Sequence, residues 1–138
     1  MSNPIQVLIV EDHAVVRAGL RALLETEPDM QVVGEAGDAE TAVTQTLTLH
    51  PDVILMDLCL PDYDGLYAIQ AIKRHNPQAR ILVLSNHAED KRVRAVLHAG
   101  VTGYLLKDSA NQKIVTAIRD VQQGNMVLHP LIAHIIKS

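Results

Sequence analysis

Two observations predict a doubly wound α/β fold. Five short apolar runs recur at the spacing of βα units, and each is followed by a stretch with helical apolar periodicity. The runs are Ile5–Val10, Met30–Val33, Val53–Met56, Ile81–Leu84 and Tyr104–Leu106. Each is too short for a helix, and most are unbroken by polar residues. That is the pattern of strands buried on both faces. Their starts lie about 20 to 30 residues apart, the length of a strand plus its crossover helix.

The intervening helices are legible one by one. Val16, Leu20, Leu23 and Leu24 form the first apolar stripe; Ala39, Val43, Thr46 and Leu47 form the second. Leu66, Ile69 and Ile72 form the third, Val93, Val96 and Leu97 the fourth, and Ile114, Ala117, Ile118 and Val121 the fifth. All follow the three-and-four spacing of a one-sided face. Asp38, with Thr41 three residues on, marks the start of the second helix, and Asp64-Gly65 that of the third. Gly100 and Gly124 mark the ends of the fourth and fifth. Repeated strand–helix alternation requires a parallel sheet with helices on both faces and right-handed crossovers. The five-stranded version of this class is flavodoxin-like, with strand order 2-1-3-4-5.

Composition narrows the function classes. The chain has 138 residues, 48% of them hydrophobic, with no Phe, no Trp and three tyrosines. Its core must therefore be aliphatic, and intrinsic disorder is excluded. One cysteine cannot form an internal disulfide. Twelve basic against sixteen acidic residues leave a net charge of −4. That is a poor match for nucleic acid or an anionic membrane, so this chain alone is not expected to bind either. No apolar run has the length of a membrane span, and Met1–Gln6 lacks the basic region of a signal peptide. A cytoplasmic domain is the expectation.

The pattern changes after Gly124. Asn125–His129 reads as a short connector, and Pro130 opens a helical run with Leu131, Ile132, Ile135 and Ile136. Residues 1–124 are the expected domain, and 125–138 the start of a linker helix that runs on past Ser138.

In an open parallel sheet, ligands bind at the carboxyl ends of the strands. Glu11 and Asp12 follow the first strand, and Asp57 closes the third. Ser85 and Asn86 end the fourth, and Lys107 and Asp108 follow the fifth. Three carboxylates in one cleft repel one another unless a divalent cation sits among them. Mg²⁺ suits an all-oxygen donor set. One carboxylate could then attack phosphorus, with Lys107, Ser85 and a backbone N–H taking up charge on the transferring group. Asp12 is equally placed to cap the first helix. Asp57 is harder to explain structurally, because it is flanked by Val53-Ile54-Leu55-Met56 and Leu58-Cys59-Leu60, where an unpaired carboxylate is costly. His13 reads as a first-turn residue, since imidazole is a poor match for Mg²⁺.

Several motifs together resemble the receiver domain of bacterial two-component response regulators. They are Val-Glu-Asp-His at 10–13, Asp-Val-Ile-Leu-Met-Asp-Leu-Cys-Leu-Pro at 52–61, Asp64-Gly65, Leu-Ser at 84–85 and Gly-Tyr-Leu-Leu-Lys-Asp at 103–108. The 11–20 and 103–108 segments are most similar to the NarL/FixJ subfamily, whose members carry a LuxR-type helix-turn-helix domain downstream. The resemblance implies that Asp57 accepts a phosphoryl group from a sensor histidine kinase. It implies that Asp12 binds Mg²⁺ directly, Glu11 acts through metal-bound water, and the Cys59 carbonyl completes the metal site. Ser85, Lys107 and the Asn86 backbone would hold the phosphoryl group, and His87 would lie where side chains influence its lifetime. Tyr104 would be the aromatic that moves from an exposed rotamer into the protein on activation. Homodimerisation or control of the downstream domain would be the readout. The Cys59 thiol is not required, and its side chain is expected to be small filler, partly buried.

Two other classes on similar folds fit less well. A haloacid-dehalogenase-like phosphohydrolase needs a second Asp two residues after the first, and Cys59 stands there. A flavin or nucleotide binder needs a phosphate-cradling loop after the first strand, where Glu11-Asp12 would repel phosphate. A metal-independent pseudo-receiver would not need every acceptor position filled. Tyr104 is the only aromatic in any predicted strand, and in a core without Phe or Trp this favours a switch over routine packing.

Overall fold

A computed structural model of the chain describes residues 3–60, 65–86 and 90–137, with the side chains of Asp90 and Lys91 excepted. The elements alternate as expected. They are β1 (Ile5–Val10), α1 (Ala14–Glu25), β2 (Met30–Ala36), α2 (Ala39–Leu49), β3 (Val53–Met56), α3 (Gly65–His75), β4 (Ile81–Ser85), α4 (Asp90–His98), β5 (Gly103–Leu106) and α5 (Asn111–Gln122). The strands are parallel and follow the flavodoxin-like order, extended by one: 2-1-3-4-5-6. The sixth strand is β6 (Val127–Leu128), and α6 (Pro130–Lys137) follows it. The expected count of five strands is corrected here, because the short connector contains a sixth. Val127 and Leu128 pair with Gly103 and Tyr104 of β5. A two-residue strand is too short to leave a periodic signal in the sequence.

Alternation of side chains along the strands builds two aliphatic layers. Leu8, Val10, Ile54, Met56, Val83 and Tyr104 face one way. Val7, Ile9, Val53, Leu55, Leu82 and Leu84 face the other, against Leu24 of α1 and Ile114, Val115 and Ile118 of α5. Ile132 and Ile135 of α6 join the first layer, so this short helix is part of the packed body.

The signals at Asp38, Gly100 and Gly124 operate as read. Asp38 Oδ1 accepts the Thr41 N–H at 2.7 Å and closes the first turn of α2. Gly100 and Gly124 take φ of +100° and +87°, the left-handed exits of α4 and α5. Asp12, by contrast, does not cap α1; His13 holds that position. No helix among the described residues is long and apolar enough to cross a membrane.

Candidate functional site

The site follows from the end of each strand. Backbone hydrogen bonds set its floor: the Glu11 N–H donates to the Ala36 carbonyl at 2.9 Å, and the Asp57 N–H to the Val10 carbonyl at 2.9 Å. The Lys107 N–H donates to the Ser85 carbonyl at 2.9 Å. Four neighbouring strands thus deliver Glu11, Asp57, Ser85 and Lys107 to one edge, as the topology requires.

Charge is concentrated where water is scarce. Glu11 is 1% exposed and Asp57 3% exposed. The Lys107 ammonium donates to Glu11 Oε1 at 2.6 Å and lies 3.4 Å from Asp57 Oδ1. The Glu11 Oε2 also accepts the His13 N–H at 3.1 Å. Burial opposes the charge on Glu11, yet hydrogen bonds from Lys107 and the His13 amide outweigh it and hold the carboxyl below its usual range. Asp57 goes the other way. Burial, reinforced by the neighbouring Glu11 charge, pushes it up to about 6, against the opposing hydrogen bond from the Cys59 amide at 3.2 Å. Lys107 is raised: burial works against its charge, but Glu11 and Asp57 win. The single ammonium is therefore shared unequally, and Glu11 takes most of it.

Two carboxylate oxygens, Asp12 Oδ1 and Asp57 Oδ2, are buried and lack a hydrogen-bond partner among the described residues. Such atoms are costly unless something satisfies them. The donors available are hard oxygens, so the residues present fit a hard divalent cation such as Mg²⁺. Glu11, Asp12 and His13 also offer ligand atoms within 4.8 Å of one another. His13 Nδ1 lies 3.2 Å from Asp12 Oδ1, so this exposed residue sits beside the acidic pair and not away from it.

The remaining expected residues are placed as follows. Ser85 is wholly buried, and Asn86 follows it at the exposed mouth. The Cys59 side chain is exposed, which corrects the expectation of partial burial. His87 lies outside the described residues, as do Pro61, Tyr63 and Asp64. Tyr104 is fully buried, not in an exposed rotamer. Burial raises its phenol, offset in part by a hydrogen bond with Ser85 and by the charge of Arg92. The ring already fills the inward position.

Three residues near the site carried no functional expectation. Arg17 donates to the Glu11 carbonyl at 2.8 Å and to Glu35 at 3.2 Å, tying α1 to the acidic loop. Arg92 donates to the Leu58 carbonyl at 3.1 Å. Arginines on helices read as solvated face, so the sequence marks neither. Gly65 has no room for a side chain: a Cβ there would come within 2.6 Å of Leu58 Cα and 2.8 Å of the Asp57 carbonyl. The Asp64-Gly65 step signals a helix start, and only the structure shows that it also lets α3 begin against the Asp57 loop.

A six-stranded parallel sheet with a buried, lysine-paired carboxylate cluster at its carboxyl edge defines a receiver-type domain. The sequence matches the response regulator receiver domain over residues 7–119, and the chain belongs to that family. It is 41% identical over 126 residues to the response regulator protein VraR of Staphylococcus aureus, covering 91% of this chain and 60% of that protein. The chain thus spans about three fifths of the length of that curated relative. Among solved structures, it resembles a LuxR-family two-component response regulator from Aurantimonas (34% identity, TM-score 0.92, 98% of this chain and 96% of that one). It also resembles the receiver domain of the response regulator NarL from Mycobacterium tuberculosis (33% identity, TM-score 0.85, 90% and 100%). These relatives place it in the NarL/LuxR subfamily. It is a regulatory domain of a two-component system, and a phosphorylation switch is the general function of its family.

Proposed function

We propose that Asp57 is the phosphoacceptor of this switch, loaded from a phosphohistidine on a sensor histidine kinase. The observation that carries the reading is a carboxylate 3% exposed, with one oxygen unpartnered among the described residues and the Lys107 ammonium 3.4 Å from the other. In the transfer, an Asp57 oxygen forms a bond to phosphorus as the P–N bond breaks, and the imidazole leaves with a proton. With a pKa of about 6, Asp57 is mostly ionised at neutral pH and available as the nucleophile. Lys107 balances the added charge, and Ser85 and the Asn86 backbone take the phosphoryl oxygens. Glu11, Asp12, Asp57 and the Cys59 carbonyl would hold Mg²⁺, Glu11 through metal-bound water. Bound there, the ion neutralises the carboxylates and polarises the phosphoryl group.

Loading competes for the Ser85 hydroxyl that now meets Tyr104, so the Tyr104 position reports on the state of the site. His87 is a candidate modulator of the acyl-phosphate lifetime. The switch acts in the cytoplasm. Its output is a change in homodimerisation or in control of a LuxR-type helix-turn-helix domain of the longer protein, with no direct DNA contact by this segment. Incubation with acetyl phosphate and Mg²⁺ should add one phosphoryl group by intact mass. Asp57→Asn should show none. No adduct on the wild-type chain, or an equal one on the variant, removes the proposal.

A further inference from the structure

Helix α4 touches two distant parts of the molecule through arginines two positions apart. At one end, Arg92 Nη2 donates to the carbonyl of Leu58, the residue after Asp57. Its Nε is buried and has no hydrogen-bond partner among the described residues. At the other, Arg94 Nη2 donates to the carbonyl of Ile135 at 2.8 Å, in the last turn of α6. The start of α6 is fixed independently: the His129 N–H donates to the Tyr104 carbonyl at 2.9 Å, and His129 Nδ1 accepts the Leu131 N–H at 3.0 Å. Between these anchors Ile132 and Ile135 are buried in the same aliphatic layer as Val93 and Val96 of α4.

We propose that α4 couples the Asp57 loop to α6, so that loading Asp57 loosens α6 from the body of the domain. The inference rests on the phosphoacceptor reading above. A phosphoryl group adds negative charge and acceptor oxygens beside a loop already held by Arg92, whose spare donor is available to it. Residues two apart on a helix lie about 200° apart around its axis. A rotation of α4 that carries Arg92 toward the site therefore carries Arg94 away from Ile135. The C-terminal carbonyls of α6 then lose a charged donor, and its end, with one fewer anchor, opens more often.

Hydrogen exchange by mass spectrometry on the 138-residue chain, with Mg²⁺ and with or without beryllofluoride, tests this. Native mass in parallel reports the adduct. In the wild type, the adduct should raise exchange of the 131–137 amides several-fold. Arg94→Met should raise it to that level without beryllofluoride and form the adduct as the wild type does. In the adduct-bearing fraction of Arg92→Met, and of Arg92→Lys, which keeps the charge without the Nε donor, the response should disappear. An adduct that leaves 131–137 exchange unchanged overturns the coupling and leaves the phosphoacceptor reading standing. A full response in both Arg92 variants also overturns it. Failure to form any adduct overturns both.

Discussion

Two ion networks sit at opposite ends of the sheet, and each joins one basic side chain to a glutamate and an aspartate. At the amino end, Arg119 of α5 reaches across to the turn before β2, bonding Glu27 at 2.6 Å and Asp29 at 2.8 and 3.0 Å. At the carboxyl end, Lys107 meets Glu11 and Asp57. In the first, the hydrogen bonds from Arg119 lower the Asp29 carboxyl and the carboxylates raise the guanidinium, so Asp29 and Arg119 each favour the ionised form of the other. In the second, three charges share one small buried volume, and Asp57 is pushed up to about 6 by burial first of all. Solvent makes the difference. Asp29 is 47% exposed, whereas Asp57 is 3% exposed. One network can relax into water and fastens two elements together; the other cannot, and keeps a carboxylate under tension that a metal ion or a phosphoryl group can relieve.

The sharpest way to break this contrast is Lys107→Met. Removing one partner of a buried ion pair leaves the other charge uncompensated, which costs about 3 kcal/mol. Glu11, at 1% exposure, has nowhere to turn. Urea unfolding should show a deficit of that order at pH 8, shrinking at pH 5 as Glu11 takes up a proton in place of the ammonium. A deficit that is the same at both values would mean that Glu11 does not depend on Lys107.

Asp57→Asn should act in the opposite direction. Because the folded pKa is raised from 3.8 to about 6, the wild-type fold prefers the protonated carboxyl. That preference contributes stability fully below the unfolded pKa, and it is lost as the pH rises through about 6. The neutral amide avoids the loss. The variant should therefore be more stable than wild type by about 3 kcal/mol at pH 8, and most of the gap should close by about pH 4. A constant gap across that range would remove the strain assigned to Asp57.

How much of this was readable beforehand depends on which kind of residue carried it. Strand ends project chemistry in a fixed direction, so Glu11, Asp12, Asp57, Ser85 and Lys107 could be gathered from five apolar runs and a topology rule. Residues reaching in from helices could not. The alternating pattern says where a helix faces its sheet, not how far an arginine on its flank will extend, and so no spacing marks Arg17 or Arg92. Gly65 is legible only as punctuation until Asp57 and Leu58 are seen to pass within contact of it. Tyr104 stood out by composition, but its rotamer is a matter of packing with Ser85, which no spacing encodes. The amphipathic run of α6 is visible, whereas its docking depends on a two-residue strand and on Arg94.

The smallest effect belongs to Arg119→Ala, and its size tests the comparison most economically. The guanidinium makes good bonds to both Glu27 and Asp29, yet all three groups keep contact with solvent. Side-chain entropy and hydration offset most of the attraction in such pairs, so the loss should be at most about 1 kcal/mol. Salt offers the discriminating variable. Raising ionic strength to about 1 M shortens the screening length to about 3 Å and should erase most of the Arg119→Ala deficit. Buried pairs are screened far less, so the Lys107→Met deficit should barely move in the same titration. Were Arg119→Ala to cost as much as Lys107→Met, and with the same indifference to salt, burial would not be what separates a fastening from a reactive site in this fold.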